Sequence, residues 1–194
     1  MYWYEDEIKR LEKIKLAYEP ETIFYGSSSI RMWTSLYTDF PALKPVNLGF
    51  GGSTLAACVW YFERIMGPYR PKRFVVYAGD NDLGDGRHPE EVFIFFQQLL
   101  VKTARHFGDI PCYFISLKPS VSRRHLIEQF RSANTLIEHE IIANAKNWRY
   151  IDIFKEMVDP SGLPQKKYYT ADGLHLSDAG YGLWKRVTGE YINR

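Results

Sequence analysis

Short apolar runs recur along the chain and alternate with longer segments of mixed polarity. Nearly continuous runs of this length are typical of strands that are covered on both faces, as in a parallel sheet. The runs are TIFYG at 22–26, PVNLGF at 45–50, RFVVYAG at 73–79, IPCYFISL at 110–117 and RYIDIF at 149–154. Each run therefore predicts a buried strand.

The segments between these runs have the length and periodicity of crossover helices. In the segment 89–107, Pro89 stands near the start, Glu90 and Glu91 occupy the first turn, and basic residues follow towards the end, as expected for a helix. Further helices are predicted at 3–17, 54–66, 123–146 and 177–192. Strands that alternate with helices predict an α/β domain of three layers.

No repeat, low-complexity stretch or linker divides the chain. The sequence therefore predicts a single domain over residues 1–194, with an N-terminal helix within 1–18 packed on it. The longest irregular region is 155–176, which contains DPSGLPQKKYYTADGLH. An irregular segment of this length inside a compact domain is usually functional.

Composition and charge exclude several classes of partner. Hydrophobic residues make up 45% of the chain and charged residues 25%, which is ordinary for a globular protein. The 25 Lys and Arg residues barely exceed the 23 Asp and Glu residues and are dispersed, which argues against nucleic acid or an acidic membrane as a partner. Cys58 and Cys112 stand beside apolar residues without metal-ligand spacing, which predicts buried, reduced thiols.

The sequence carries no recognisable targeting segment. No apolar stretch approaches the length of a membrane span, and the N-terminus lacks the basic start and apolar core of a signal peptide. We therefore expect no membrane insertion and a cytoplasmic location. A chain from which a leader had been trimmed would look the same.

Polar, glycine-bearing stretches follow the first three predicted strands, and another lies near the end of the chain. They are GSSS at 26–29, GFGGST at 49–54, GDND at 79–82 and DGLH at 172–175. Ligands of parallel sheets bind beyond the carboxyl ends of the strands. Hydrolysis by a serine needs a hydroxyl, a base, a group that orients the base, and donors for an oxyanion. His175 suits the role of base and Asp172 that of the group that orients it, while Gly52 and Asn81 are candidate donors.

These four stretches, in this order and along nearly the whole chain, resemble the motif blocks of the SGNH hydrolases, also called the GDSL esterase/lipase family. The resemblance implies that Ser28 is the nucleophile, with Ser27 in place of the usual aspartate, and that Asp172 and His175 complete a catalytic triad. Ser27 and Ser29 are then expected to shape or cap the helix that follows the first strand.

The same resemblance implies an oxyanion hole and a fold. The backbone N–H groups of Ser28 and Gly52 and the side-chain amide of Asn81 would hold the oxyanion. The fold would be a flavodoxin-like α/β/α sandwich with a parallel sheet of about five strands in the order 2-1-3-4-5. The implied activity is that of an ester hydrolase that forms an acyl-enzyme and uses no cofactor.

The segment DNDLGDGRHPEE is a candidate cation loop because Asp80, Asp82 and Asp85 are crowded in it. In the EF-hand register, however, Gly84 falls where a ligand is needed and Asp85 where the glycine should be. We therefore predict no metal site. The chain also lacks the GxxxxGK[ST] and GxGxxG patterns of nucleotide-binding loops and the GxSxG elbow of α/β-hydrolases.

The shared motifs do not distinguish lipid, carbohydrate-acetyl and thioester substrates. The polar loops favour a small or short-chain acyl ester, with an acetylated carbohydrate as one candidate. The alternatives are a longer-chain lipase, lysophospholipase or thioesterase, and a non-catalytic protein that binds a small ligand on the same fold. Residues near strand ends that could contact substrate, or could equally be packing or solvated residues, are Arg31, Trp33, Lys118, Arg123 and Arg124. The oligomeric state is left open.

Overall fold

The computed structural model describes residues 3–192, so the first two and last two residues of the predicted single domain lie outside the described residues. Within them, five parallel strands form one sheet in the order β2-β1-β3-β4-β5, which confirms the predicted order. The strands are β1 Thr22–Gly26, β2 Pro45–Gly49, β3 Arg73–Tyr77, β4 Cys112–Ile115 and β5 Trp148–Ile151.

Helices connect the strands and cover both faces of the sheet. In chain order they are α1 Glu5–Glu12, α2 Ser28–Arg31, α3 Leu36–Asp39, α4 Leu55–Met66, α5 Asp80–Gly84, α6 Pro89–Phe107, α7 Ile127–Asn144, α8 Phe154–Met157 and α9 Asp178–Ile192. Single 3₁₀ turns lie at Pro41–Leu43, Arg124–Leu126 and Lys166–Tyr168. No helix within residues 3–192 is long and apolar enough to span a lipid bilayer.

Two separate apolar cores lie on the two faces of the sheet. Successive side chains of a strand point to opposite faces, and β1 shows this directly because Ile23 and Tyr25 belong to one core and Phe24 to the other. The first core is completed by α1, α4, α6 and α7, and the second by α2, α3 and α9. The molecule is therefore the predicted α/β/α sandwich.

The N-terminal helix is shorter than the predicted 3–17, since α1 ends at Glu12. Its buried Ile8 and Leu11 pack in the first core, and Arg64 of α4 pairs with Glu5 at 2.8 Å and with Glu12 at 2.7 Å. The apolar residues beyond the helix end also pack against the first core. The apolar spacing thus predicted the helix only over Glu5–Glu12, and it predicted burial for Ile8 and Leu11 but not for Trp3, which is exposed.

The predicted irregular region 155–176 contains little regular structure but is closed by backbone pairing. Tyr169 and Leu176 form an antiparallel bridge, and Val158 and Pro164 form another. The Tyr169–Leu176 bridge holds a tight loop that includes the DGLH stretch. The second core anchors this loop, because both residues of that bridge are buried in it.

Candidate active site

The end of β1 is shaped by a glycine that no other residue could replace without strain. Gly26 has φ 136°, and a Cβ there would lie 1.8 Å from the carbonyl oxygen of Tyr77. The chain then turns, Ser27 donates its N–H to the same Tyr77 carbonyl at 2.9 Å, and α2 begins at Ser28. This exit puts Ser28 at the carboxyl edge of the sheet, in the first turn of a short helix.

The three consecutive serines differ in their surroundings. Ser27 and Ser29 are buried and their hydroxyl oxygens have no hydrogen-bond partner within the described residues, whereas Ser28 is half-buried. Ser27 stands at the N-cap of α2, but its side chain makes no capping hydrogen bond. Of the two roles expected for Ser27, shaping or capping the helix, the structure thus contradicts side-chain capping.

The bridged loop brings a carboxylate and an imidazole to the Ser28 hydroxyl. His175 Nε2 lies 3.2 Å from Ser28 Oγ, across 147 positions of sequence. His175 Nδ1 lies 2.6 Å from Asp172 Oδ2. The three predicted residues thus form a continuous chain of hydrogen bonds, carboxylate to imidazole to hydroxyl.

Asp172 is held in place through its other carboxylate oxygen. Oδ1 accepts the backbone N–H groups of Leu174 at 2.8 Å and of His175 at 2.9 Å, and the hydroxyl of Thr170 at 2.8 Å. Partial burial acts to raise the pKa of the Asp172 carboxyl, but these bonds and the one from the His175 ring hold it well below its usual range. Asp172 is therefore ionised at neutral pH and can orient the imidazole.

The candidate oxyanion donors lie at the same edge of the sheet. Ser28 opens α2, so its N–H is one of the first-turn groups that have no partner inside the helix. Gly52 has φ 67°, the left-handed region that favours glycine, and its N–H makes no hydrogen bond with any residue in 3–192. A Cβ at Gly52 would meet no atom within 4 Å, so the peptide borders open space.

Asn81 is the third candidate donor and is nearly buried. Its Nδ2 donates to the Ser53 carbonyl at 3.0 Å, which ties the GDND stretch to the loop that carries Gly52. Its Oδ1 accepts two hydrogen bonds from the guanidinium of Arg123, each 3.1 Å long. Nδ2 has two hydrogens and uses one on Ser53, which leaves the second for a ligand.

The two buried carboxylates of GDND have structural partners. Asp80 pairs with the buried Lys118 at 3.0 Å; burial acts to raise the pKa of Asp80, but Lys118 and Arg123 hold it below its usual range. Asp82 accepts the N–H of Leu55 at 2.6 Å, at the start of α4. Within residues 3–192 no group of three or more His, Cys, Asp or Glu is arranged to hold a metal ion.

The residues predicted to contact substrate have different fates. Trp33 is fully buried, donates its ring N–H to Asp39 at 2.8 Å and packs against Trp184 in the second core, so its prediction as a substrate contact is wrong. Arg31 is partly exposed, pairs with Glu7 at 3.3 Å and lies beside Gly51 of the GFGGST stretch. It therefore stays a candidate for contact with substrate.

Of the three other cations near strand ends, Lys118 is buried against Asp80 and is not accessible to a substrate. Arg123 contacts Asn81, and Arg124 is exposed.

Two contributors to the site were not identified from the sequence. Thr170, whose hydroxyl donates to Asp172 Oδ1, stands two residues before it, and its closeness in sequence is the signal that could have revealed it. Ser53, whose carbonyl accepts from Asn81, acts through its backbone, and no side-chain pattern could have indicated this.

Comparison with known proteins yields one family and several structural neighbours. A model of the GDSL-like Lipase/Acylhydrolase family matches residues 21–183. A Streptococcus pneumoniae protein named for platelet activating factor superposes with a TM-score of 0.82 at 21% identity, over 96% of this chain and 91% of that one. A GDSL-like lipase from Bacteroides thetaiotaomicron gives a TM-score of 0.78 at 18% identity, over 98% and 97%.

A variant of an acetyl-xylooligosaccharide esterase from Geobacillus also has this fold, with a TM-score of 0.68 at 15% identity over 91% of this chain and 95% of that one. No curated protein sequence matches the chain. At these identities the solved structures bear on the fold.

Proposed function

Since the chain belongs to the GDSL-like lipase/acylhydrolase family, we propose that it is a serine-dependent ester hydrolase that acts through an acyl-enzyme on small or short-chain acyl esters. The observation that carries the proposal is the hydrogen-bond chain from Asp172 through His175 to Ser28, with distances of 2.6 and 3.2 Å. Hydroxyl, base and orienting carboxylate are the set that nucleophilic acyl transfer requires.

In the first half of the reaction, Ser28 Oγ attacks the acyl carbonyl carbon while His175 Nε2 accepts the hydroxyl proton. The resulting tetrahedral species collapses, the bond from carbon to the leaving oxygen breaks, and His175 returns the proton to that oxygen. The alcohol leaves and the acyl group stays on Ser28. Asp172 keeps the proton of the neutral imidazole on Nδ1, so that Nε2 is free to act as the base.

In the second half, water takes the place of the alcohol. His175 removes a proton from water as it attacks the acyl-enzyme carbonyl, then returns that proton to Ser28 Oγ when the acid leaves. In both halves, negative charge develops on the carbonyl oxygen. The N–H groups of Ser28 and Gly52 and the second Nδ2 hydrogen of Asn81 are the donors we assign to that oxygen.

The surroundings of these donors favour a short acyl group. Each CH₂ of a longer chain would gain about 0.8 kcal/mol only where an apolar surface receives it. The residues beside the donors offer no such surface, since Gly51 and Gly52 carry no side chain and the guanidinium of Arg31 lies against Gly51. An acetylated carbohydrate suits such surroundings, and the Geobacillus acetyl-xylooligosaccharide esterase is an example of an enzyme of this fold that is named for such a substrate.

A panel of p-nitrophenyl esters from acetyl to palmitoyl tests both parts of the proposal. We expect kcat/KM to be highest for acetyl and butyryl esters and activity to be abolished in Ser28→Ala. Ser29→Ala is the matched control, because Ser29 is the neighbouring serine and its buried hydroxyl has no partner within the described residues; it should retain most activity. A kcat/KM that rises steadily to palmitoyl would replace the short-acyl assignment with a lipase.

Covalent labelling distinguishes the hydrolase from a non-catalytic binding protein. A fluorophosphonate should add to wild-type protein and to Ser29→Ala, but not to Ser28→Ala, and peptide mass analysis should locate the adduct on Ser28. An unlabelled wild-type protein that is inactive on every ester of the panel would contradict the proposal.

We further propose that residues 1–194 form a single domain, because the family match spans 21–183 and α1 packs on α4 within one core.

A further inference from the structure

Arg123 lies directly behind the candidate donor Asn81. Both terminal nitrogens of its guanidinium donate to Asn81 Oδ1 at 3.1 Å, and one of them also donates to the backbone carbonyl of Asp80 at 3.0 Å. The side chain is 20% exposed. Two of these contacts engage the amide oxygen of the side chain that we assign to the oxyanion.

These contacts leave the Asn81 amide one orientation. Its Oδ1 faces two guanidinium donors and its Nδ2 faces the Ser53 carbonyl at 3.0 Å. A flipped amide would point N–H groups at the guanidinium of Arg123 and an oxygen at the carbonyl of Ser53, which would lose every one of these bonds. Because the amide group is planar, this orientation also determines the direction of the remaining N–H.

The surrounding helix is shaped to accommodate the guanidinium. Gly84 ends α5, and a Cβ at Gly84 would lie 2.6 Å from Arg123 Cζ. The carboxylate of Asp80, paired with Lys118, lies 3.9 Å from the same group. Arg123 is thus held by a carboxylate, a carbonyl and a glycine surface.

We propose that Arg123 is a positioning residue of the oxyanion hole. It locks the Asn81 amide with one N–H directed at the oxyanion, and its positive charge polarises the amide through Oδ1, so that this N–H is a stronger donor. This role rests on the proposed hydrolase function. A preorganised donor stabilises charge that develops in the transition state, so the effect falls on kcat more than on KM.

The first test is Arg123→Ala, assayed with a p-nitrophenyl ester alongside Asn81→Ala. Removing an oxyanion donor lowers kcat by about 10²–10³, which is the loss we expect for Asn81→Ala. In Arg123→Ala we expect kcat to fall by at least about tenfold while KM changes by less than about threefold. Arg123→Lys, which keeps the charge but loses the planar fork, should be intermediate. Arg105→Ala, an exposed arginine on α6, is the control and should match wild type.

A double-mutant cycle separates positioning from a general structural effect. In the Asn81→Ala background, removing Arg123 should lower kcat by less than about twofold further, because the amide that it positions is gone. An equal loss of kcat in both backgrounds would overturn the proposal. Guanidinium chloride at low millimolar concentration should partly restore kcat of Arg123→Ala and should not restore Asn81→Ala.

Gly84→Ala provides a second perturbation that keeps every charge. The added methyl group displaces the end of the Arg123 side chain, so kcat should fall as in Arg123→Ala while the melting temperature stays near that of wild type. This variant keeps the proposal testable if Arg123→Ala fails to fold. Inactive Ser28→Ala and Asn81→Ala with fully active Arg123→Ala and Gly84→Ala would refute this inference alone, whereas active Ser28→Ala would refute the proposed function itself.

Discussion

Replacing Asp172 with asparagine tests whether the carboxylate sets the protonation of the base. Asp172 Oδ1 accepts the N–H groups of Leu174 and His175, and Oδ2 faces His175 Nδ1 at 2.6 Å. An asparagine would place its carbonyl oxygen where the two backbone donors converge and its NH₂ group opposite Nδ1. Nδ1 would then have to accept a hydrogen bond from this NH₂ group, so the ring proton would move to Nε2. Nε2 could then no longer accept the proton of Ser28.

The size of this preference follows from the bonds that a flipped amide would lose. The Thr170 hydroxyl can turn to the His175 carbonyl, 3.3 Å away, so the two backbone N–H groups decide the orientation. At about 1 kcal/mol each, they favour the unproductive orientation by about 2 kcal/mol, or about thirtyfold. With the loss of the orienting charge added, kcat should fall by up to about 10⁴, the loss seen for the equivalent change in serine proteases.

Two measurements check this reasoning. Steady-state kinetics should give Asp172→Asn a kcat no higher than that of Asp172→Ala, because alanine removes the orienting group without imposing the wrong tautomer. Nitrogen-15 NMR of the histidine ring should show His175 protonated on Nδ1 in the wild type and on Nε2 in Asp172→Asn. A kcat of Asp172→Asn within about tenfold of wild type would refute the assigned role.

Two further predictions concern stability. Gly26→Ala should destabilise the fold by about 3 kcal/mol or more in urea unfolding, since its Cβ would overlap the Tyr77 carbonyl at a positive φ; a loss under about 1 kcal/mol would contradict this geometry. Hydrogen bonds from Lys44 and Lys72 lower the pKa of Glu21 from 4.5 to about 2, so its stabilisation is present above pH 4.5 and disappears as the pH falls towards 2. The melting temperature of Glu21→Gln should therefore lie below wild type at neutral pH and converge with it near pH 2; a constant gap would exclude this linkage.

The parts of the fold that were predictable from the sequence are the elements whose ends are marked by a glycine or a proline. Strand β1 has the predicted bounds because Gly26 ends it, and α6 has the predicted bounds because Pro89 starts it and Gly108 follows it. Strand β4 is shorter than the predicted 110–117, since β3 and β5 pair with it only within Cys112–Ile115. The extent of a strand thus depends on partners that are distant in sequence.

The site shows the same division between local and distant information. The DGLH spacing was enough to expect Asp172 beside His175, because both lie in one loop. An aromatic residue after a strand end, such as Trp33, gives the same sequence pattern whether it is buried or exposed. Trp33 is buried because it packs against Trp184 of α9, which is distant in sequence. Arg123 could not be assigned to Asn81 because it lies 42 residues away and outside the four motif stretches, so no sequence pattern related the two positions.

The GDND stretch explains how the proposed donors could be preorganised although they lie on separate loops. Asp82 accepts the N–H of Leu55 at 2.6 Å, which holds the start of α4, and Asn81 holds the carbonyl of Ser53 in the preceding loop. Gly52 directly precedes Ser53 in that loop, so the Gly52 N–H and the Asn81 amide have a defined separation before any substrate arrives. Donors aimed in advance need no reorganisation when charge develops, which is the condition under which electrostatic stabilisation is largest. The buried ion pair of Asp80 with Lys118 then acts as the support behind these donors, because it keeps the start of α5 in place.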